Sequence, residues 1–183
     1  GIILTKVNDD YNGAEGQDGV VLAVNKNDTL IIIENGQDVW SSTDSGISWT
    51  KISGDFNGGG GNVFGIAVDN LNNLYTIDNQ ADVWKSTNSG VNWSLVKDDY
   101  NAGNPNNPTD MTSNSSGALF ILDVQDVWKS DDSGVTWALV NDDFNGAGDS
   151  ESGIVLYSAR DDSIYIIDGG EDVFRSTDSG VTF

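Results

Sequence analysis

The sequence predicts an all-β fold of four blades, each a four-stranded antiparallel sheet, and three observations carry that expectation. The 183-residue chain repeats itself along its whole length. Each repeat holds four short apolar or alternating runs separated by turn residues, and nowhere do apolar residues recur at helical spacing. The repeat length of about 45 residues matches one four-stranded propeller blade. The chain therefore reads as a single domain over residues 1–183, a four-bladed β-propeller.

The clearest repeated unit is Asp-Val-Trp followed by Ser-x-Asp-x-Gly-x-x-Trp. Its copies run from Ser42 to Trp49, Ser86 to Trp93, Ser130 to Trp137 and Ser176 to Phe183, with starts 44, 44 and 46 residues apart. In the first repeat the four runs are Val20 to Val24, Thr29 to Ile33, Val39 to Ser42 and Trp49 to Ile52, here strands a, b, c and d. Between them stand Asn25-Lys26-Asn27-Asp28, Asn35-Gly36 and the segment around Ser45-Gly46, all favourable turn chemistry. The b runs, such as Leu30-Ile31-Ile32-Ile33 and Leu119-Phe120-Ile121-Leu122, are apolar on both faces, as strands sandwiched between blades must be.

The eight-residue unit resembles the Asp-box, or bacterial neuraminidase repeat, of sialidase-like propellers. All four copies keep Ser and Gly, three keep Asp against one Asn88, and three end in Trp against one Phe183. Read physically, the Ser and Asp side chains tie down amides of the c–d hairpin, Gly46 and its equivalents take positive φ, and Trp49 and its equivalents pack into the blade. The resemblance implies, for sialidases, three arginines that clamp a substrate carboxylate; this chain has only Arg160 and Arg175, so a sialidase is not expected. It also implies polysaccharide hydrolases working with two carboxylates, but those carry more blades and long substrate loops, whereas these loops are short and nearly identical.

The ends of the chain bear on closure. Thr5-Lys6-Val7-Asn8-Asp9-Asp10-Tyr11-Asn12 aligns with Thr50-Lys51-Ile52-Ser53-Gly54-Asp55-Phe56-Asn57, so a d strand precedes the first a strand. Docked as strand d of the last blade, it removes both exposed edges. Ile2-Ile3-Leu4 and Val181-Thr182-Phe183 duplicate one another, which leaves an intermolecular version open, with a homo-oligomer or filament formed through terminal strands.

Composition narrows the chemistry. Eight Lys plus Arg against 29 Asp plus Glu leave a formal charge of −21, which repels nucleic acid and anionic membranes. No apolar run reaches the roughly 18 residues of a membrane span. Without Cys or His there is no disulfide, thiolate, sulfur-ligated metal or Ser-His-Asp triad, so any catalysis rests on carboxylates. The start at Gly1 without a leader fits an intracellular chain or a trimmed mature form.

The d–a and b–c connections share one propeller face, and most acids fall on them. The d–a loops contribute Glu15, Asp18 and Asp149 and repeat Asp, aromatic, Asn, as in Asp10-Tyr11-Asn12, Asp55-Phe56-Asn57, Asp99-Tyr100-Asn101 and Asp143-Phe144-Asn145. The b–c hairpins repeat acid pairs: Glu34 with Asp38, Asp78 with Asp82, Asp123 with Asp126, Asp168 with Asp172. Carboxylates and Asn carbonyls are the hard oxygen ligands of Ca²⁺, so Asp10, Asn12, Asp55, Asn57, Asp99, Asn101, Asp143 and Asn145 are the candidate ligands, against a solvated acidic face with Asx-turns. Asp110 joins them, because it interrupts an axial strand where the aligned residues are Val21, Gly65 and Val155. The loop from Asn101 to Pro108 is the longest polar insertion and a candidate recognition loop.

The functional expectation is a non-enzymatic, secreted or surface-exposed scaffold, stabilised by Ca²⁺, that assembles with itself or binds partners. Asn27-Asp28-Thr29, Asn92-Trp93-Ser94 and Asn114-Ser115-Ser116 are compatible with glycosylation at such a surface. The alternatives are a glycan-binding module, with Tyr11, Phe56, Tyr100 and Phe144 as platforms if they are not wedge-filling core, or a carboxylate-dependent glycoside hydrolase.

Overall fold

A computed structural model describes residues 5–13, 19–58, 61–103, 108–146 and 150–183. Fifteen strands form four consecutive antiparallel sheets, with no helix among the described residues. The first blade is β1 (Gly19–Val24), β2 (Leu30–Glu34), β3 (Val39–Ser42) and β4 (Thr50–Ser53); the second is β5 (Val63–Val68), β6 (Leu74–Asp78), β7 (Val83–Ser86) and β8 (Ser94–Lys97). The third is β9 (Pro108–Ser113), β10 (Leu119–Asp123), β11 (Asp126–Ser130) and β12 (Ala138–Asn141), and the fourth has β13 (Gly153–Ser158), β14 (Ile164–Asp168) and β15 (Val173–Ser176). Successive strands pair in each blade, so the expected four-bladed propeller arrangement is present.

Turn chemistry explains why the strands stop where they do. In every Ser-x-Asp-x-Gly hairpin two residues in a row are left-handed, Ser45 at φ 61° and Gly46 at φ 85° in the first copy. Gly46 donates its N–H to Ser42 Oγ at 2.9 Å, and the same bond recurs at Gly90, Gly134 and Gly180. Asp44 accepts from the Ser48 N–H at 2.9 Å, and Asn88, the one departure from Asp, accepts from Asn92 N–H in the same way. Gly is also needed for clearance: a Cβ on Gly90 would stand 3.1 Å from Val39 and 3.3 Å from Ile52 of the preceding blade.

Blades pack through alternating residues. One side of β2 and β3 (Ile31, Ile33, Val39) is fully buried against the second blade, and Tyr75, Ile77 and Val83 are buried likewise against the third. Every residue of β6 and β10 is buried, as both-faced apolar strands require. The inner strands follow one another, β1 on β5, β5 on β9 and β9 on β13. Between β1 and β13 there is no comparable packing among the described residues, so the four blades form an open arc and not a closed ring.

That opening corrects the expectation of a last blade completed by the chain's own N-terminal strand. Among the described residues β15 has no fourth strand beside it, and residues 5–13 form no strand. They lie on the first blade instead: Val7 packs 3.4 Å from the Cβ position of Gly46, and Asn8 donates to the Ile47 carbonyl at 2.9 Å. Because the inner strands of the first and last blades do not pack on one another, a segment lying on the first does not reach β15. The expectations for Ile2, Ile3, Leu4, Glu15, Asp18, Asp149 and the middle of the Asn101 to Pro108 loop fall outside the described residues.

Candidate functional site

The acidic face is organised around the last residue of each second strand. Glu34, Asp78 and Asp123 are fully buried and Asp168 nearly so. Burying a carboxylate is costly unless donors surround it, and here the donors come from two directions. Within the blade, Trp40 Nε1 donates to Glu34 and Trp84 Nε1 to Asp78, both at 2.9 Å. From the preceding loop, Tyr11 Oη and Asn12 Nδ2 donate to Glu34 at 2.9 and 2.5 Å, Asn57 Nδ2 donates to Asp78 at 3.3 Å, and Tyr100 Oη and Asn101 Nδ2 donate to Asp123 at 2.5 and 3.0 Å. Asp168 accepts the hairpin N–H groups of Gly170 and Asp172. Glu34, Asp78 and Asp123 thus each pin the preceding loop to their blade, whereas Asp168 holds only its own hairpin.

The proposed calcium ligands are thereby placed individually. Asn12, Asn57 and Asn101 turn their amide nitrogens toward buried carboxylates, and Asn145 bonds Gln125 and the Glu151 carbonyl. Asp55 and Asp143 cap their own turns, accepting from Gly58 and Gly146 N–H, while the Asp10 and Asp99 amides donate to Asn8 and Asp82. Among the described residues no three acidic side chains gather into a metal-sized group. The acids that end the second strands depart from the expectation of an acidic surface face: they are core. The signal available was register, since Glu34 and Asp78 stand six residues before a Trp whose indole N–H needs an acceptor.

The loop aromatics are wedge-filling core. Tyr11, Phe56, Tyr100 and Phe144 each sit edge-on to the aromatic of the following β3-type strand, with centroids 5.1–6.1 Å apart. Each also meets the Trp or Phe that ends the adjacent hairpin. Burial and the Asp123 carboxylate push the Tyr100 hydroxyl far above its ordinary pKa, and burial raises Asp123 as well. Tyr100 is a permanent donor there.

Along the axis lies a cavity of about 580 Å³ lined by all four inner strands. Its lining mixes apolar side chains such as Val20, Leu22, Phe64 and Ile154 with Thr109, Thr112 and Tyr157, and Asp110 is the one carboxylate among its described lining residues. Asp110 Oδ2 accepts the Leu156 N–H of the next blade and Oδ1 the Met111 N–H, both at 2.8 Å. Burial outweighs these two bonds and pushes the carboxyl up to about 6. The aligned Gly65 explains the spacing: a Cβ there would stand 2.3 Å from Met111 N, so the inner strands of the second and third blades approach where the third and fourth are bridged by a carboxylate. At one mouth, Lys26 and Arg160 flank a second hollow lined by Asn70, Ser113 and Ser115.

No family model and no curated protein sequence matches the chain. Solved structures do match in fold. YCF48 from Cyanidioschyzon merolae superposes with a TM-score of 0.71 at 12% identity, over 94% of this chain and 56% of that one. A catalytically inactive virginiamycin B lyase from Staphylococcus aureus, with quinupristin, gives 0.68 at 16% identity over 92% and 55%. The GH74 xyloglucanase from Xanthomonas campestris gives 0.59 at 17% identity, over 88% and 29%. The chain spans little more than half the length of the first two.

Proposed function

We propose that the chain is a non-enzymatic β-propeller scaffold of the Asp-box type, secreted or surface-exposed, that works by assembling with itself or with partners. The observation that carries this reading is the use to which the carboxylates are put. Those that end the second strand are buried in every blade, and Glu34, Asp78 and Asp123 anchor the preceding loop, while the axial cavity offers one carboxylate among its described lining residues where glycoside hydrolysis calls for two. The repeat geometry is spent on building blades. Exposed apolar side chains, among them Ile47, Leu71 and Val135, favour association. Ca²⁺ belongs to the proposal as a counter-ion for a chain of charge −21, at Asp10, Asp55, Asp99 and Asp143.

Sedimentation or light-scattering mass with and without Ca²⁺, run beside a polysaccharide panel, tests the reading. A mass above 19.5 kDa with no turnover is expected. A monomer that cleaves glycans refutes it, and unchanged stability up to millimolar Ca²⁺ removes the metal. The second reading, a carboxylate-dependent hydrolase or glycan binder, rests on Asp110, whose carboxyl pKa burial in the axial cavity pushes up to about 6; there Asp110→Asn abolishes turnover or binding.

A further inference from the structure

The turns that join the first and second strands of the four blades meet at one mouth of the axis, on the face opposite the d–a and b–c loops. Each is closed by the same bond, from Asp28 N–H to the Asn25 carbonyl in the first blade and from Asp162 N–H to the Ala159 carbonyl in the fourth. At the second position of these turns the repeat stops repeating: it holds Lys26, Asn70, Ser115 and Arg160 in successive blades. All four line one hollow of about 360 Å³. Two of the eight basic residues of a chain of formal charge −21 thus stand together, and Asp69 is the one carboxylate among the described residues that line the hollow.

The neighbouring acids are engaged by other donors. Asp69 Oδ1 accepts the N–H groups of Leu71 and Asn73, and its Oδ2 accepts Asn73 Nδ2 and Tyr75 Oη. Asp161 pairs with Arg175 at 3.4 Å, and Asp162 accepts both the N–H and the hydroxyl of Ser115 at 2.8 Å. Lys26 and Arg160 take part in no ion pair among the described residues, unlike Lys6, Lys51, Lys129 and Arg175. Lys26 Nζ donates to the Asn70 carbonyl, which keeps the ammonium at the rim. Bonds from turn to turn fix that rim: the Lys26 amide donates to Asn72 Oδ1 at 2.7 Å, and Asn70 Nδ2 donates to the Ser116 carbonyl at 2.8 Å. Groups held in place in this way lose little freedom when a ligand binds.

From this we infer that the hollow binds an oxyanion carried by a small organic molecule, a carboxylate or phosphate group gripped between the Arg160 guanidinium and the Lys26 ammonium. The planar guanidinium fork matches either group with two parallel N–H bonds, and the ammonium adds a point charge. Salt confines the repulsion from the acids of the other face: at ~0.15 M, charges beyond about 8 Å are largely screened, so the nearby cations decide. The hollow lies at the lower end of the roughly 300–1,000 Å³ of ligand pockets, which leaves space beside the anionic group for the rest of a small molecule. The site adds a ligand to the scaffold and does not depend on how the scaffold assembles.

Amide NMR shifts read the site directly, with two probes that distinguish the group: inorganic phosphate, and malonate as a dicarboxylate. Each is titrated into the protein with chloride exchanged to hold the ionic strength constant. The expected result is a saturable shift at the four turns for one probe or both, with a Kd on the order of 1 mM for so small an ion, and the tighter probe names the group. Lys26→Gln and Arg160→Gln, both at exposed side chains, each weaken binding by about tenfold. Lys97→Gln removes the same charge from the end of β8, on the other face, and leaves binding unchanged. No saturable shift with either probe up to roughly 10 mM overturns the inference. So does binding that survives both substitutions, that shifts other residues instead, or that weakens equally with Lys97→Gln. The scaffold reading, tested by mass, survives each of these outcomes.

Discussion

Asp110→Asn separates a buried structural carboxylate from an ion ligand by the sign of a single curve. In the folded chain Asp110 is held near 6 by burial, against an ordinary 3.8. Between those values the unfolded chain has released the proton that the folded chain keeps. Stability therefore falls as pH rises through the window and levels off above it. A shift of roughly two units at about 1.4 kcal/mol each amounts to about 3 kcal/mol. Asn does not titrate, and its exchange for one of the two N–H bonds is a pH-independent offset. Subtracting parent from variant cancels every other group, so the difference in unfolding free energy rises in the variant's favour by about 3 kcal/mol from pH 3 to pH 7. Urea denaturation at half-unit pH steps measures it. A flat difference refutes the buried-carboxylate argument, and one that falls with pH means that the charged form is favoured, as a bound cation would make it.

Two further predictions concern the repeated hairpin. Ser130→Ala leaves the buried Gly134 N–H without its 2.9 Å acceptor and frees Asp132, which costs about 1–3 kcal/mol. Thermal unfolding then moves down by about 2–4 °C per kcal/mol, and an unchanged midpoint contradicts the assignment. Asp44 and Asp178 are held down at about 2, first by the hydroxyls of Ser48 and Thr182 and then by the N–H groups of the same residues. Their contribution to stability is present above the ordinary carboxylate pKa and lost as pH falls through about 2. Carboxyl NMR titrations with midpoints near 3.8 would show these hairpin bonds to be absent in solution.

The repeat, the strands and the hairpins were legible in the sequence because they are set by local chemistry. Ser-x-Asp-x-Gly closes a turn with atoms at most a few residues apart, so Ser42, Asp44 and Gly46 act together in any blade that contains them. The same holds for the wedge aromatics, whose once-per-blade spacing already marks them as packing residues. Blade number came from counting.

Which acids are buried was decided only by tertiary structure, since a carboxylate is core or surface according to donors from elsewhere in the chain. Glu34 is satisfied by Tyr11 and Asn12, more than twenty residues away. Asp110 likewise takes its meaning from Leu156 N–H in the next blade. Closure was the other tertiary decision. The alignment of Thr5 to Asn12 with Thr50 to Asn57 says that this segment is a strand end, but not which sheet it joins. That choice depends on whether the small rotation between neighbouring blades brings the fourth back to the first, a sum over three interfaces that no single residue encodes. Among the described residues β1 and β13 do not pack on one another as the other neighbouring inner strands do.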